Sequence, residues 1–278
     1  MPEKITYALL CYIFIPLFIH AAQITETLQY LHFSHSKQKK EGLRSSLYFI
    51  HTKNRNRYEF LWEKSDTRTF QPPLPNNLHV DKYFLTYSRS IIPKQSLQLH
   101  LATINDNLSK ETDNGKLYGI GYRYKHFMIT QYYSNYHNFN VYQTDLLYKN
   151  KKAFTSGTLG YIWIVKYIHI HEQTPNPFTK YAKNNYVTPG FKLHFQQKRF
   201  YLETGAFFSK RLFAIMNNGF AMQHHAMEFH QHYIFALGSQ TTNWHFKLGY
   251  TYLKADEIPL QNNNVTVESV MLSASYKF

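Results

Sequence analysis

Ser269-Val-Met-Leu-Ser-Ala-Ser-Tyr-Lys-Phe278 closes the chain. In an extended strand, side chains alternate between faces, so Val270, Leu272, Ala274, Tyr276 and Phe278 share one side, and Ser269, Met271, Ser273, Ser275 and Lys277 share the other. The segment 244–254 reads the same way. Trp244, Phe246, Leu248, Tyr250 and Tyr252 oppose His245, Lys247, Gly249 and Thr251. One face is apolar and the other is wet. Period two, not 3.6, governs this end of the molecule.

Moving back along the chain, the pattern recurs in segments of about ten residues. Val187, Pro189, Phe191, Leu193 and Phe195 oppose Thr188, Gly190, Lys192, His194 and Gln196. Tyr118, Ile120, Tyr122 and Tyr124 oppose Gly119, Gly121, Arg123 and Lys125, and Leu97, Leu99 and Leu101 oppose Gln98, His100 and Ala102. Segments 25–34 and 127–134 alternate poorly, and 158–170 is apolar on both faces. Composition agrees: 18% of the 278 residues are aromatic, yet mean hydropathy is −0.46, so apolar side chains are dispersed by alternation.

The final Phe278, with Tyr276 two places before it, resembles the C-terminal signature of bacterial outer-membrane β-barrels. The likeness covers about the last ten residues. It implies an all-β, antiparallel up-and-down transmembrane barrel, with Tyr276 and Phe278 read by the barrel-assembly machinery. Hydrocarbon cannot satisfy backbone N–H and C=O groups, so such strands must pair until the sheet closes. About fourteen strands are expected, or twelve if two weak segments merge.

In this class short turns face the periplasm and longer loops face outside. Short links are expected at 54–56, 92–94, 125–126, 149–152, 197–198 and 239–242. Longer ones are expected at 34–43, 64–78, 105–115, 172–185, 210–226 and 255–264, with a modest loop near 136–138. Short and long alternate, which places both ends of an even-stranded barrel on the periplasmic side. Pro72, Pro73, Pro75, Pro175 and Pro177 fall in loops, whereas Pro189 would need a strand end or a bulge.

Residues 1–22 read as a cleaved signal peptide, with Lys4, the apolar run 5–19 and small Ala21 and Ala22. The barrel domain is then 23–278, without a plug or a second domain. Cys11, the one cysteine, falls in that leader, so the mature chain would carry no thiol for disulfide, metal or nucleophile. A formal charge of +14 would suit nucleic acid, but export redirects it to lipopolysaccharide and other outer-membrane lipids, or to a pore interior.

No nucleophile elbow, zinc-protease helix or phosphate-cradling glycine loop is present, so catalysis would need a dispersed Ser/His or Asp/His site, acting on lipid or peptide. No cofactor is expected. Of the 16 histidines, His230 and His232 would share a strand face and are the pair that could hold a metal, with His224 and His225 just before them and His169 and His171 as a second pair.

Alternation points Arg57, Arg123, Lys166, Lys192 and Lys247 inward, with Glu59, Asp145, Glu203 and Glu228 as acidic counterparts and His194 and His245 as titratable groups. The layout resembles the monomeric fourteen-stranded porins, which implies a passive channel for small polar solutes; the basic excess adds a weak anion preference. The alternatives are a membrane-embedded enzyme and a surface or adhesion barrel with a filled lumen.

Overall fold

The computed structural model describes residues 22–278. The expected signal peptide, with Cys11, lies outside the described residues except for Ala22, the first residue of β1. Fourteen antiparallel strands close into one barrel. They are β1 (Ala22–Ser34), β2 (Lys39–Lys53), β3 (Asn56–Thr69), β4 (Leu78–Ile92), β5 (Gln95–Asp106), β6 (Lys116–Tyr124), β7 (Phe127–Asn135), β8 (Phe139–Phe154), β9 (Gly157–Glu172), β10 (Asn185–Gln197), β11 (Phe200–Phe207), β14 (Met227–Gln240), β15 (Trp244–Glu257) and β16 (Asn262–Lys277). Two short strands, β12 (Ile215–Met216) and β13 (Ala221–Met222), form a separate hairpin between β11 and β14. Each barrel strand pairs with its sequence neighbours, and β1 closes on β16 from Gln23↔Lys277 to Ser34↔Thr266.

The poorly alternating segments are strands after all. β7 points Met128, Thr130, Tyr132 and Ser134 inward, and β1 pairs along its whole length on both sides. Outward side chains such as Leu99, Ile120, Trp163, Leu237 and Leu272 make an exposed apolar belt, the surface hydrocarbon requires. Trp62, Tyr124 and Trp244 stand outward with them.

The links at 54–55, 93–94, 125–126, 155–156, 198–199 and 241–243 are the tight ones, and both ends of the described chain sit beside them. One expected turn moves. Lys149–Lys152 continues in the β8–β9 ladder, pairing Lys149↔Ile162 to Lys152↔Leu159, and the chain reverses at 155–156. At the other end the links at 35–38 and 258–261 are shorter than expected, because β1, β2, β15 and β16 extend beyond the belt.

Pro189 lies inside β10 without a bulge, opposite Val165. Its carbonyl accepts from Phe208 N–H at 2.9 Å, just past the last β10–β11 pair, Gly190↔Phe207. In an antiparallel ladder a residue's N and O face the same neighbour. The missing N–H therefore faces the point where β11 ends, and no ladder bond is lost.

Candidate pore and its inserted loop

The main departure from a plain barrel is the segment 208–226. After Phe207 it runs beside β14, exchanging two backbone hydrogen bonds of 2.9 Å between Arg211 and Phe229. It then carries Leu212, Phe213, Ala214, Ile215 and Met216 into the lumen, all buried. Five consecutive apolar residues cannot rest in water at a loop tip, and a matching surface exists inside: Phe139, Val141, Ile164, Ile168 and Ile170 pack with them in one cluster. This explains why β9 is apolar on both faces, with lipid on one side and the inserted loop on the other. The expectation of a barrel without a plug is corrected here.

A segment inside a barrel must find partners for its backbone. Gln143 supplies them: its Oε1 accepts from Ile215 N–H and its Nε2 donates to Ile215 O, each at 2.8 Å. Lys166 Nζ adds a 2.9 Å bond to the same carbonyl while pairing with Asp145. The hairpin turns through left-handed Asn217, Asn218 and Gly219. A Cβ on Gly219 would lie 2.7 Å from His100 Nδ1, so only glycine fits. Lys192 Nζ donates to Asn217 Oδ1 at 3.0 Å.

The returning arm is latched to the wall. His224 Nε2 and His225 Nε2 lie 3.0 and 2.9 Å from one oxygen, Asp106 Oδ2, and Lys39 Nζ lies 2.8 Å from His225 Nδ1. With both imidazoles neutral, each Nε2–H donates to the carboxylate and the lysine donates to the free ring nitrogen of His225. Burial, the neighbouring ring and the Lys82 ammonium hold His224 well below the ordinary imidazole range, and burial with Lys39 beside it lowers His225 to about 4.

A cavity of about 1290 Å³ remains beside the inserted loop, from His126, Lys149 and Lys151 at the short-turn end to Lys39, His224 and His225. It is lined by seven basic residues, Lys39, Arg44, Lys82, Lys149, Lys151, Lys192 and Lys247, against two acidic ones, Glu63 and Glu203. Hydroxyl and amide side chains such as Thr27, Gln29, Ser46, Thr251 and Ser269 line it too. At the outer end Leu31, Leu78, Met227 and Val267 form a buried apolar rim of this cavity, and Ile104 packs in the cluster with the inserted loop.

Of the residues expected inside, Lys192, His194, Glu203 and Lys247 line this cavity. Lys247 and His194 both pair with Glu203, the latter at 3.2 Å. Tyr201 stacks between His194 and His245, with ring centroids 5.1 and 4.9 Å away. Glu59 is buried beside Arg57 (2.8 Å) and Tyr48. Arg123 reaches toward Met128, and Asp145 and Lys166 lie beneath the inserted loop.

Glu228 departs from the expected set. A β-bulge between Phe229 and Gln231 shifts the alternation, so Met227 and Phe229 line the cavity and Glu228 turns to the seam at the loop root. The same bulge separates the expected metal pair: His232 bonds Arg211 (3.1 Å), while His230 meets Asp256 (2.6 Å). His169 bonds Asn185 at 2.9 Å, away from both.

Sequence reasoning missed Lys39, Arg44, Glu63, Lys82, Asp106 and Arg211. The run Leu212–Met216 in an expected outer loop was the available signal. Among the described residues no serine hydrogen-bonds a histidine, and the hydroxyl that does, Thr86 on His100 at 3.0 Å, has no carboxylate behind it.

Apolar outside, polar and charged inside, closed edge to edge: such a sheet is stable in a bilayer. Comparison with solved structures agrees. The chain superposes on the Acinetobacter baumannii outer membrane protein Omp33 with a TM-score of 0.50, 9% identity, and coverage of 93% of this chain and 99% of that one. The Pseudomonas putida toluene transporter TodX gives 0.53, 9% identity and coverage of 93% and 89%, and the Ralstonia pickettii toluene transporter TbuX gives 0.51, 8%, and 92% and 89%. The chain shares the closed antiparallel barrel fold of these outer-membrane proteins. Neither a known protein-family pattern nor a curated protein matches its sequence.

Proposed function

We propose that this barrel is a passive channel for small polar solutes with a weak preference for anions, closed at its outer end by the inserted segment 208–226. The carrying observation is the cavity itself: about 1290 Å³ inside the barrel, with seven basic and two acidic side chains in its wall. Fixed charge of one sign lowers the barrier for counter-ions in a narrow passage, so chloride should outrun potassium. The returning arm of the loop is held by two imidazoles on one carboxylate, a polar latch, while the first arm is packed into the wall as an apolar cluster.

Single-channel recording of the refolded protein in a planar bilayer tests this. Discrete steps with a reversal potential on the anion side of a salt gradient are expected, rarer at neutral pH than in a variant with 213–222 replaced by two glycines. A cation-side potential would overturn the preference. The filled outer end favours a second reading, a surface barrel that conducts nothing; absence of steps in a correctly inserted, loop-shortened variant would establish that reading in place of the channel.

A further inference from the structure

Two groups of three ligand-type side chains lie in the loop region, with donor atoms within 4.8 Å of one another: Asp106, His224 and His225, and Glu228, His230 and Asp256. They differ in what already occupies them. In the first, Lys39 donates to His225 Nδ1 and is only 5% exposed, so it has nowhere to go. A metal on Nε2 would require the proton to sit on Nδ1, against that ammonium. The first group is complete as a latch.

The second is different. The bulge takes His230 out of the ladder and aims its ring at Asp256, with Nε2 2.6 Å from Asp256 Oδ2. Glu228, its side chain 4% exposed, presents Oε1 to the same point. Among the described residues, buried His230 Nε2 pairs only with the Asp256 carboxylate, and buried Glu228 Oε1 only with the Lys210 ammonium. Two carboxylates and an imidazole thus converge, and the cation between them is Lys210 Nζ, 2.6 Å from Glu228 Oε1 and 3.6 Å from Asp256 Oδ2. Its side chain is 44% exposed, so it can swing into water at small cost.

We propose that Glu228, His230 and Asp256 bind a divalent transition-metal ion, with Zn²⁺ the best match, in exchange for the Lys210 ammonium. One imidazole nitrogen and two carboxylate oxygens suit Zn²⁺ better than Ca²⁺ or Mg²⁺, which prefer oxygen throughout. His230 binds as the neutral ring through its Nε2 lone pair, the proton that Nε2 holds toward Asp256 having moved to Nδ1, and water fills the remaining positions. Lys210 leaves as an intact ammonium, so charge at the site rises by one. The ion would bridge the outer ends of β14 and β15 one residue either side of Phe229, which holds the loop root through Arg211. The inference does not depend on whether the pore conducts.

The test is calorimetric titration of zinc chloride into the full-length, untagged barrel refolded in detergent, with folding of each variant checked by its heat-modifiable mobility. One ion per chain is expected. His230→Gln and Asp256→Asn should each weaken that binding at least tenfold, while His224→Gln leaves it unchanged. Lys210→Gln should tighten it severalfold, because the competitor is gone. Zinc should also raise the temperature at which the wild-type barrel loses its folded mobility, but not that of His230→Gln. No binding to the wild type, equal binding by His230→Gln and Asp256→Asn, loss of binding in His224→Gln, or weaker binding by Lys210→Gln would each overturn the proposal.

Discussion

Gly219 shows how much of the closure rests on single residues. Its φ of 92°, and the 2.7 Å that would separate a Cβ at this position from His100 Nδ1, leave no room for a side chain, and His100 is itself buried. Gly219→Ala should destabilise the inserted hairpin by about 1–3 kcal/mol and raise both the open probability and the cleavage of the loop by added protease, while the heat-modifiable barrel persists. Arg211 makes the opposite case. It is fully buried, bonds only His232 through its side chain, and stacks between the Phe207 and Phe229 rings without a carboxylate, and burial lowers it to about 9. Arg211→Met keeps the apolar contacts and removes an uncompensated charge, so it should raise stability by about 1–3 kcal/mol, read from the urea midpoint.

At the level of elements, the loop latch should respond to acid. The unfolded chain takes up a proton on His225 near 6.5 and the folded one only near 4. The unfolded state therefore binds more protons between these values, and stability present above 6.5 is lost as pH falls toward 4, by roughly 3 kcal/mol at most from this group. Burial and the Lys39 and Lys82 ammoniums stand against the new charge, and the attraction of Asp106 offsets them only in part. Conductance should rise between pH 6.5 and 4, and a His224→Gln/His225→Gln variant should flatten that dependence. The tight turns offer an independent check. Lys125 holds a left-handed φ of 53° in the link between β6 and β7, which costs a side-chain-bearing residue about 1–2 kcal/mol. Lys125→Gly should recover up to about 1 kcal/mol in the urea midpoint, glycine's greater unfolded freedom offsetting the rest.

For the molecule as a whole, the decisive quantity is the charge on the passage. Lys149 and Lys151 stand at its short-turn end, and changing both to Glu would turn seven basic and two acidic residues into five and four. The reversal potential should then move to near parity, whereas Lys64→Glu, on the exposed outer side of β3, should leave it unmoved. If the two variants behave alike, the selectivity arises somewhere other than in this cavity.

Alternation along single strands was enough to give the sheet, a count of about fourteen strands with twelve left open, and the inward placement of Lys192, His194, Glu203 and Lys247, because a strand's two faces meet different solvents and the chain must record both; 25–34 and 127–134 became strands only through their pairing. It also misled locally. Glu228 and His230 could not be placed without the bulge, since one extra residue reverses every side chain beyond it. What only the tertiary structure decided is the fate of 208–226. Leu212–Met216 is visibly apolar in sequence, but whether such a run seeks lipid, a partner or the lumen depends on a complementary surface, and that surface is assembled from β8 and β9 only once the barrel closes. The Asp106 latch is of the same kind: its members lie more than a hundred residues apart in the chain, and no local pattern links them.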